Sequence, residues 1–116
     1  MGAIHVTEAE SAILEVLWRH GPMPPLRLIG EVKALRPWGA ATVKTLLARL
    51  KHKMMVRAER QDGRLLYRAT IDRPAYVEAE VKALVDRLFG GDAAALAAHL
   101  AGPSFRPSPP AGELAH

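Results

Sequence analysis

The sequence predicts a mainly α-helical protein with one small β-hairpin, and three features of the 116-residue chain point to this fold class. Apolar residues recur at intervals of three and four before residue 51, which is the period of a buried helical stripe. The period changes to two on both sides of an Asp-Gly pair, as is typical of a hairpin. A second helical pattern follows. We therefore expect three helices, a hairpin and then further helices.

The first helix is marked at both ends. Residues 7–10 have the form of a capping box, in which the Thr7 hydroxyl accepts from the Glu10 amide and the Glu10 carboxylate accepts from the Thr7 amide. Capping accounts for Glu10, and Glu8 complements the helix dipole. The helix ends at His20-Gly21-Pro22, because proline cannot continue it. Its apolar stripe consists of Ala9, Ala12, Ile13, Val16 and Leu17.

Two further helices precede the hairpin. The second begins near Pro24-Pro25, where the missing proline amide is harmless, and closes at Arg36-Pro37. Trp38 follows as a packing residue. The third runs from about Ala40 to Lys53, and its inward residues are Val43, Leu46, Leu47 and Leu50. Its opposite face contains no acid and consists of Ala41, Thr42, Lys44, Thr45, Ala48, Arg49 and His52.

The hairpin pattern covers Met55 to Arg60 and Leu65 to Ala69. Asp62-Gly63 lies between these strands, and such a pair adopts the positive φ angles that a tight turn requires. Three helices followed by a hairpin with a basic tip is the element order of a winged helix-turn-helix. We assign residues 1–71 to this domain.

The chain changes character at Asp72, which is expected to cap a helix extending to about Phe89. Gly90-Gly91 ends that helix, and Asp92 caps a short alanine-rich one. Residues 72–101 carry too much apolar surface for helices that stand alone in water, so we expect them to pack against a partner. Either they are C-terminal dimerisation helices that pack against a second copy of the chain, or they pack against the N-terminal domain. The dimerisation candidates are Tyr76, Val77, Val81, Leu84, Val85, Leu88, Phe89, Leu96 and Leu100. Residues 102–116 form a proline-rich tail that we expect to be disordered.

Positive charge is concentrated in the first part of the chain. Residues 1–71 contain 12 Lys or Arg and 6 Asp or Glu, whereas residues 72–116 contain 4 and 6. Eight of the cations lie between residues 41 and 68. Such a block attracts polyanions, because neutralised phosphates release counterions. A solvated basic surface is the alternative interpretation.

The third helix and the hairpin tip are the candidate DNA-binding elements. In a helix-turn-helix the second helix of the pair lies in the major groove and its N-terminal residues meet base edges. The candidates for DNA contact are Ala41, Thr42, Lys44, Thr45, Arg49, Arg60 and Arg64. The alternatives are a helix with solubilising cations and a charged, protected edge strand. For Arg57 and Arg68, which lie on the strands, the sequence does not decide between DNA contact and protection of the strand edge.

Several classes of function are excluded or disfavoured. The absence of cysteine excludes disulfides, thiolate metal sites and a cysteine nucleophile. The five histidines have no ligand spacing, and no catalytic, metal or cofactor site is identified, so we do not expect an enzyme. No apolar run approaches the ~18 residues of a membrane span. With no signal pattern at the N-terminus, we expect a cytoplasmic protein.

At family level the sequence resembles the penicillinase repressors, a winged-helix group that includes the methicillin-resistance and copper-responsive repressors. The resemblance covers roughly Val6 to Leu100. It rests on the capping box with Val16-Leu17-Trp18, on Trp38 ahead of residues 42–50, on Asp62-Gly63-Arg64, and on residues 88–92, Leu-Phe-Gly-Gly-Asp.

The resemblance implies a homodimeric transcriptional repressor that binds an inverted-repeat operator in a promoter and dimerises through its C-terminal helices. Some relatives have a polar or basic residue where Ala41 stands. Copper-responsive members use a C-terminal cysteine cluster, which this chain lacks. In β-lactam-responsive members a sensor-linked protease cuts an Asn-Phe bond that aligns with His99 and Leu100. The family's last helix is replaced here by the segment from Gly102.

Two functions thus remain to be compared. The first is a dimeric repressor with double-stranded promoter DNA as its partner. The second is a winged-helix protein-interaction module that docks an acidic partner without sequence-specific DNA binding.

Overall fold

The computed structural model describes residues 5–103, and its elements follow one another in the predicted order. The helices are α1 (Glu8–His20), α2 (Pro25–Leu35), α3 (Ala40–His52), α4 (Arg73–Phe89) and α5 (Ala93–Ala101). Between α3 and α4 lie β1 (Val56–Gln61) and β2 (Arg64–Ala69). The chain divides into two compact units between Val77 and Glu78. Residues 104–116, which make up most of the tail that we expect to be disordered, lie outside the described residues.

The core of the first unit is formed by the apolar stripes of its three helices. All four residues predicted to face inward from α3 are buried, as are Ile13, Val16 and Leu17 of α1. Val56 of β1 closes the core on the hairpin side. Because this stripe of α3 is buried, the opposite face of the helix lies in solvent.

The predicted caps and turn are confirmed. The Glu10 amide donates to the Thr7 hydroxyl over 3.1 Å, and the Thr7 amide donates to the Glu10 carboxylate over 3.0 Å. Asp62 and Gly63 have φ angles of 53° and 77°, the pair of positive values that a type I′ turn requires. The turn fixes the register, so Gln61 pairs with Arg64 and Val56 with Ala69.

A third extended position, which no sequence pattern predicted, lies beside the hairpin at Met23. The amide of Met23 donates to the Tyr67 carbonyl over 3.2 Å, and the Tyr67 amide donates back over 2.8 Å. β2 is therefore flanked by β1 on one side and by Met23 on the other. One residue between prolines has no periodicity that could predict this pairing.

The beginning of α4 is fastened to α1. The Trp18 indole nitrogen donates to the Ile71 carbonyl over 2.8 Å, and its ring lies 5.2 Å from the ring of Tyr76. Arg73 donates to Glu15 over 3.0 Å. The Asp72 carboxylate accepts from the amide of Ala75, which confirms the predicted cap.

In the second unit, α4 ends at the predicted glycines, because Gly90 and Gly91 adopt φ angles of 59° and 85°. Asp92 caps α5 by accepting from two backbone amides, as predicted. The rings of Phe89 and His99 lie 6.0 Å apart. Among the helices of the described residues, none has the length and apolar character that crossing a membrane requires.

A buried ion pair joins α1 to the end of α3. Lys53, the residue that ends α3, donates to Glu10 Oε1 over 2.6 Å and to the His5 carbonyl over 2.7 Å. Glu10 is fully buried, and its other oxygen has no hydrogen-bond partner among the described residues. Burial raises the pKa of Glu10, but Lys53 and Thr7 together lower it by more than burial raises it, so the pKa lies below its ordinary value.

We expect Lys53→Met to lower the free energy of unfolding by about 3 kcal/mol, because it leaves a buried carboxylate without its cation. Urea denaturation measures the loss. Lys33→Met is the matched control, since Lys33 is exposed and has no carboxylate partner among residues 5–103. Equal stability of the two variants would contradict this role for the pair.

The pH dependence of the free energy of unfolding distinguishes Lys53→Met from its control, Lys33→Met, in which the ion pair of Glu10 is intact. The pKa of Glu10 in the folded state lies below the model-compound value of 4.5, so its contribution is complete above that pH and is lost as pH falls through the folded pKa. In Lys53→Met we expect burial, the largest single influence, to outweigh the remaining hydrogen bonds with Thr7 and to raise the pKa of Glu10 above its ordinary value. Its contribution then declines with increasing pH instead. Parallel stability curves between about pH 3 and pH 7 would refute this assignment.

Candidate nucleic-acid interface

The exposed face of α3 is the one that the sequence predicts. All seven of its residues are exposed, and none is acidic. Thr42, Lys44 and Thr45 lie in the N-terminal half of this face, and Arg49 lies one turn after Thr45. Small and hydroxylated side chains are thus interspersed with cations along one helical surface, an arrangement that suits a groove lined with base edges and flanked by phosphates.

The glutamates of the first unit neutralise cations elsewhere and leave this surface positive. Each of its five glutamates forms an ion pair: Glu8 with Arg36, Glu10 with Lys53, Glu15 with Arg73, Glu31 with Arg27, and Glu59 with Arg57 and Arg68. Within residues 5–103, Lys44, Arg49 and Arg64 have no such partner. Of the seven Lys and Arg of the unit that have no carboxylate partner among these residues, five lie on α3 or at the hairpin tip.

The N-terminus of α3 adds to this positive surface. Gly39 occupies the N-cap position, no side chain caps the helix, and its first turn contains no acid. By contrast, α1 and α5 are capped by the side-chain oxygens of Thr7 and Asp92. The first amides of α3 and the positive end of its dipole are thus available to an anion.

Thr45 has a defined donor and acceptor state. Its hydroxyl donates to the Ala41 carbonyl one turn earlier over 3.0 Å, so its proton is used within the helix and its oxygen remains an acceptor. A shallow depression lies along this part of the helix, lined by Ala41, Thr42, Thr45, Leu46 and Arg49. The depression offers methyl groups and the hydroxyl oxygens of two threonines beside a guanidinium.

The two arginines of the hairpin tip lie on opposite faces of the hairpin. Gln61 is paired with Arg64 and Arg60 with Leu65, and neighbouring pairs point to opposite sides of a sheet. Arg60 is 3.4 Å from the Gly63 carbonyl of the turn, and Arg64 is exposed. Both guanidinium groups are accessible to a polyanion from the tip.

Arg57 and Arg68, which the sequence left undecided, have a partner within the hairpin. They stand opposite each other on β1 and β2, and both donate to Glu59 over 2.7 Å. The hydrogen bond from Arg68, with the charge of Arg57, holds the pKa of Glu59 below its ordinary value. No sequence motif indicated this cluster, because it depends on the register of the hairpin.

Two aromatic contacts brace the ends of α3. Trp38 packs against the core ahead of the helix, as predicted, with the guanidinium of Arg36 5.2 Å from the centre of its ring. At the other end the Lys51 ammonium lies 5.5 Å from the centre of the Tyr67 ring on β2. The helix is thus supported at both ends while its polar face stays open.

The nine dimerisation candidates differ in exposure. Tyr76 is half-buried against Trp18, and Val85 is buried. Leu84, Phe89 and Leu96 are half-buried, whereas Val77, Val81, Leu88 and Leu100 are exposed. Four of the nine thus present apolar surface to solvent.

Known proteins are similar to this chain both in sequence and in fold. The chain is 28% identical over 85 residues to an uncharacterised 16.5 kDa protein of Latilactobacillus sakei, a match that covers 73% of this chain but only 58% of that protein. The fold of this chain is similar to that of a solution structure of the DNA-binding domain of the repressor BlaI, with a TM-score of 0.54 at 26% sequence identity. The similarity covers 63% of this chain and 90% of the BlaI chain.

A second similar structure is that of monomeric Bacillus licheniformis BlaI in complex with the blaP half-operator. Its TM-score is 0.57 at 25% identity, over 66% of this chain and 94% of that one. The sequence model described as Penicillinase repressor matches residues 6–105. Because this model covers most of the chain, and because the chain has the same winged-helix fold as the two BlaI structures, the chain belongs to the penicillinase repressor family.

Proposed function

We propose that the protein is a transcriptional repressor that binds an inverted-repeat operator in double-stranded DNA as a homodimer. The observation that carries the proposal is the acid-free, exposed face of α3 beside a hairpin with arginines at its tip. The half-operator bound by the similar BlaI structure supports it.

In this proposal α2 and α3 form the helix-turn-helix, and α3 enters the major groove. Lys44 donates to guanine acceptors or to a phosphate. Thr42 and Thr45 present methyl groups and oxygens to base edges, with the oxygen of Thr45 acting as an acceptor. Arg49, further along the helix, binds a backbone phosphate, and Ala41 allows close approach without a polar contact. The hairpin places Arg60 and Arg64 on the phosphate backbone beside the groove.

A second copy of the chain accounts for the exposed apolar residues of α4. Val77, Val81, Leu84 and Leu88 are spaced by four, three and four residues, which is the spacing of a two-stranded helical seam. Val77, Val81 and Leu88 are 40%, 45% and 57% exposed. A two-fold dimer on this seam contains two copies of α3, one for each half of an inverted repeat.

The protein-interaction module remains the competing proposal, and it predicts no sequence-dependent duplex binding. A sensor-linked protease is a further proposed partner, because His99 and Leu100, which align with the family's cleavage position, are exposed on α5. Footprinting on the DNA upstream of the protein's own gene tests the repressor first. A protected inverted repeat supports it, and a failure to distinguish this DNA from random duplex favours the interaction module.

We expect Lys44→Ala and Thr45→Ala to weaken operator binding by about 10-fold or more, with a much smaller effect on random duplex, because base contacts carry the discrimination. Fluorescence anisotropy with both DNAs measures the ratio. Arg19→Ala, which removes an exposed cation from α1, is the control. Equal loss on both DNAs would mean that Lys44 and Thr45 touch only phosphate.

We expect Arg64→Ala to weaken binding to all sequences alike and to reduce the slope of log affinity against log salt by about 0.9, one phosphate contact. A salt titration on operator and random duplex measures it. An unchanged slope would remove the hairpin tip from the interface.

The seam on α4 predicts that Leu88→Asp converts the dimer to a monomer, because it places a carboxylate in an apolar interface. Light scattering after gel filtration reads out the mass. Leu26→Asp, at a leucine of α2 that is 83% exposed, is the matched control and should remain dimeric. A wild-type chain that is monomeric at micromolar concentration would disprove the homodimer.

A further inference from the structure

One face of the hairpin carries three arginines in a row. Arg64 at the tip pairs with Gln61, and Arg68 pairs with Arg57, so an even number of residues separates these positions and their side chains share a face. The two cross-strand pairs are four residues apart, which is ~14 Å along the strands. If these three arginines had no acidic neighbour, this face would be a cationic stripe long enough to follow a phosphate backbone beyond the hairpin tip.

Glu59 interrupts the stripe. It lies on the same face between the two pairs, and its two oxygens accept separately, Oε2 from Arg57 and Oε1 from Arg68, each over 2.7 Å. The side chains of Arg57 and Arg68 are 63% and 45% exposed. Burial therefore does not remove these two arginines from solvent. The carboxylate between them holds both guanidinium groups by hydrogen bonds and offsets one of their two positive charges.

The carboxylate also changes what the two arginines offer to DNA. With Glu59 the cluster carries a net charge of +1, and each guanidinium has committed a donor to the carboxylate. Without it, two adjacent cations would be free to bind phosphates. Phosphate contacts carry no sequence information. On the operator the base contacts of α3 fix the register of the complex, whereas on random DNA the protein can shift until a freed arginine reaches a phosphate. The gain is then larger on random DNA, and the ratio between operator and random DNA falls.

We propose that Glu59 is a specificity-determining residue that holds Arg57 and Arg68 off the phosphate backbone, so that the hairpin adds sequence-independent affinity only through its tip. This inference rests on the proposed function, because it concerns the same DNA interface. It assigns to an acidic residue of the hairpin a role in limiting non-specific binding.

Glu59→Gln tests the proposal, with Glu15→Gln as its matched control. Both variants remove one negative charge from a glutamate paired with arginine, but Glu15 binds Arg73 and lies on α1. We expect Glu59→Gln to raise affinity for a random duplex about fivefold at ~0.15 M salt and to steepen the salt slope by about 1, corresponding to one further phosphate contact. Operator affinity should rise less, so the specificity ratio falls. Glu15→Gln should leave slope and ratio unchanged.

Arg57→Ala, made in both backgrounds, shows whether the released arginine causes the effect. It should reduce the salt slope in Glu59→Gln and leave it unchanged in the wild type. If thermal denaturation shows that Glu59→Gln does not fold, Glu59→Asp replaces it: the shorter side chain cannot span both arginines, and the slope should again exceed that of the wild type.

The outcomes distinguish the two proposals. If the wild type does not discriminate operator from random duplex, the proposed function fails. If the wild type discriminates, and Glu59→Gln, or Glu59→Asp in its place, matches the slope and ratio of Glu15→Gln, the role of Glu59 is overturned.

Discussion

A single buried carboxylate connects the beginning of the first helix to the end of the third. Glu10 closes the capping box that starts α1 and receives the ammonium group of Lys53 at the residue that ends α3. Because the carboxylate is fully buried, its charge is tolerated only with that ammonium group in place. The position of α3 relative to α1 is thus held by a polar contact as well as by the buried stripe. The exposed face of α3 depends on both, since a rotation of the helix would bury its cations.

Charge in the first unit is sorted by position rather than by amount. Carboxylates accompany cations on α1, α2 and the base of the hairpin, and they are absent from the exposed face of α3. The same residue types therefore serve two purposes. Paired arginines such as Arg36 and Arg73 stabilise tertiary contacts, while most of the unpaired cations lie where a polyanion is proposed to bind. The net charge of +4 understates the local field that results.

Features determined by neighbouring residues could be predicted from the sequence, and those determined by the fold could not. The capping box, the Asp62-Gly63 turn and the buried stripe of α3 follow from residues within four positions of each other. The Glu10–Lys53 pair joins residues 43 positions apart, and Trp18 reaches Ile71 across 53. No local pattern encodes such partners. The Glu59 cluster is intermediate, since it needs the hairpin register, which the turn fixes.

The small side chains on the exposed face of α3 have a consequence for the thermodynamics of binding. Ala41 and Ala48 have no rotamers to lose, and the hydroxyl of Thr45 is already anchored to the backbone of its own helix. Ordering this surface against a ligand therefore sacrifices little side-chain entropy, and most of that loss falls on Lys44 and Arg49. The surface is in this sense rigid before contact, and its shape is set by the helix rather than by the ligand.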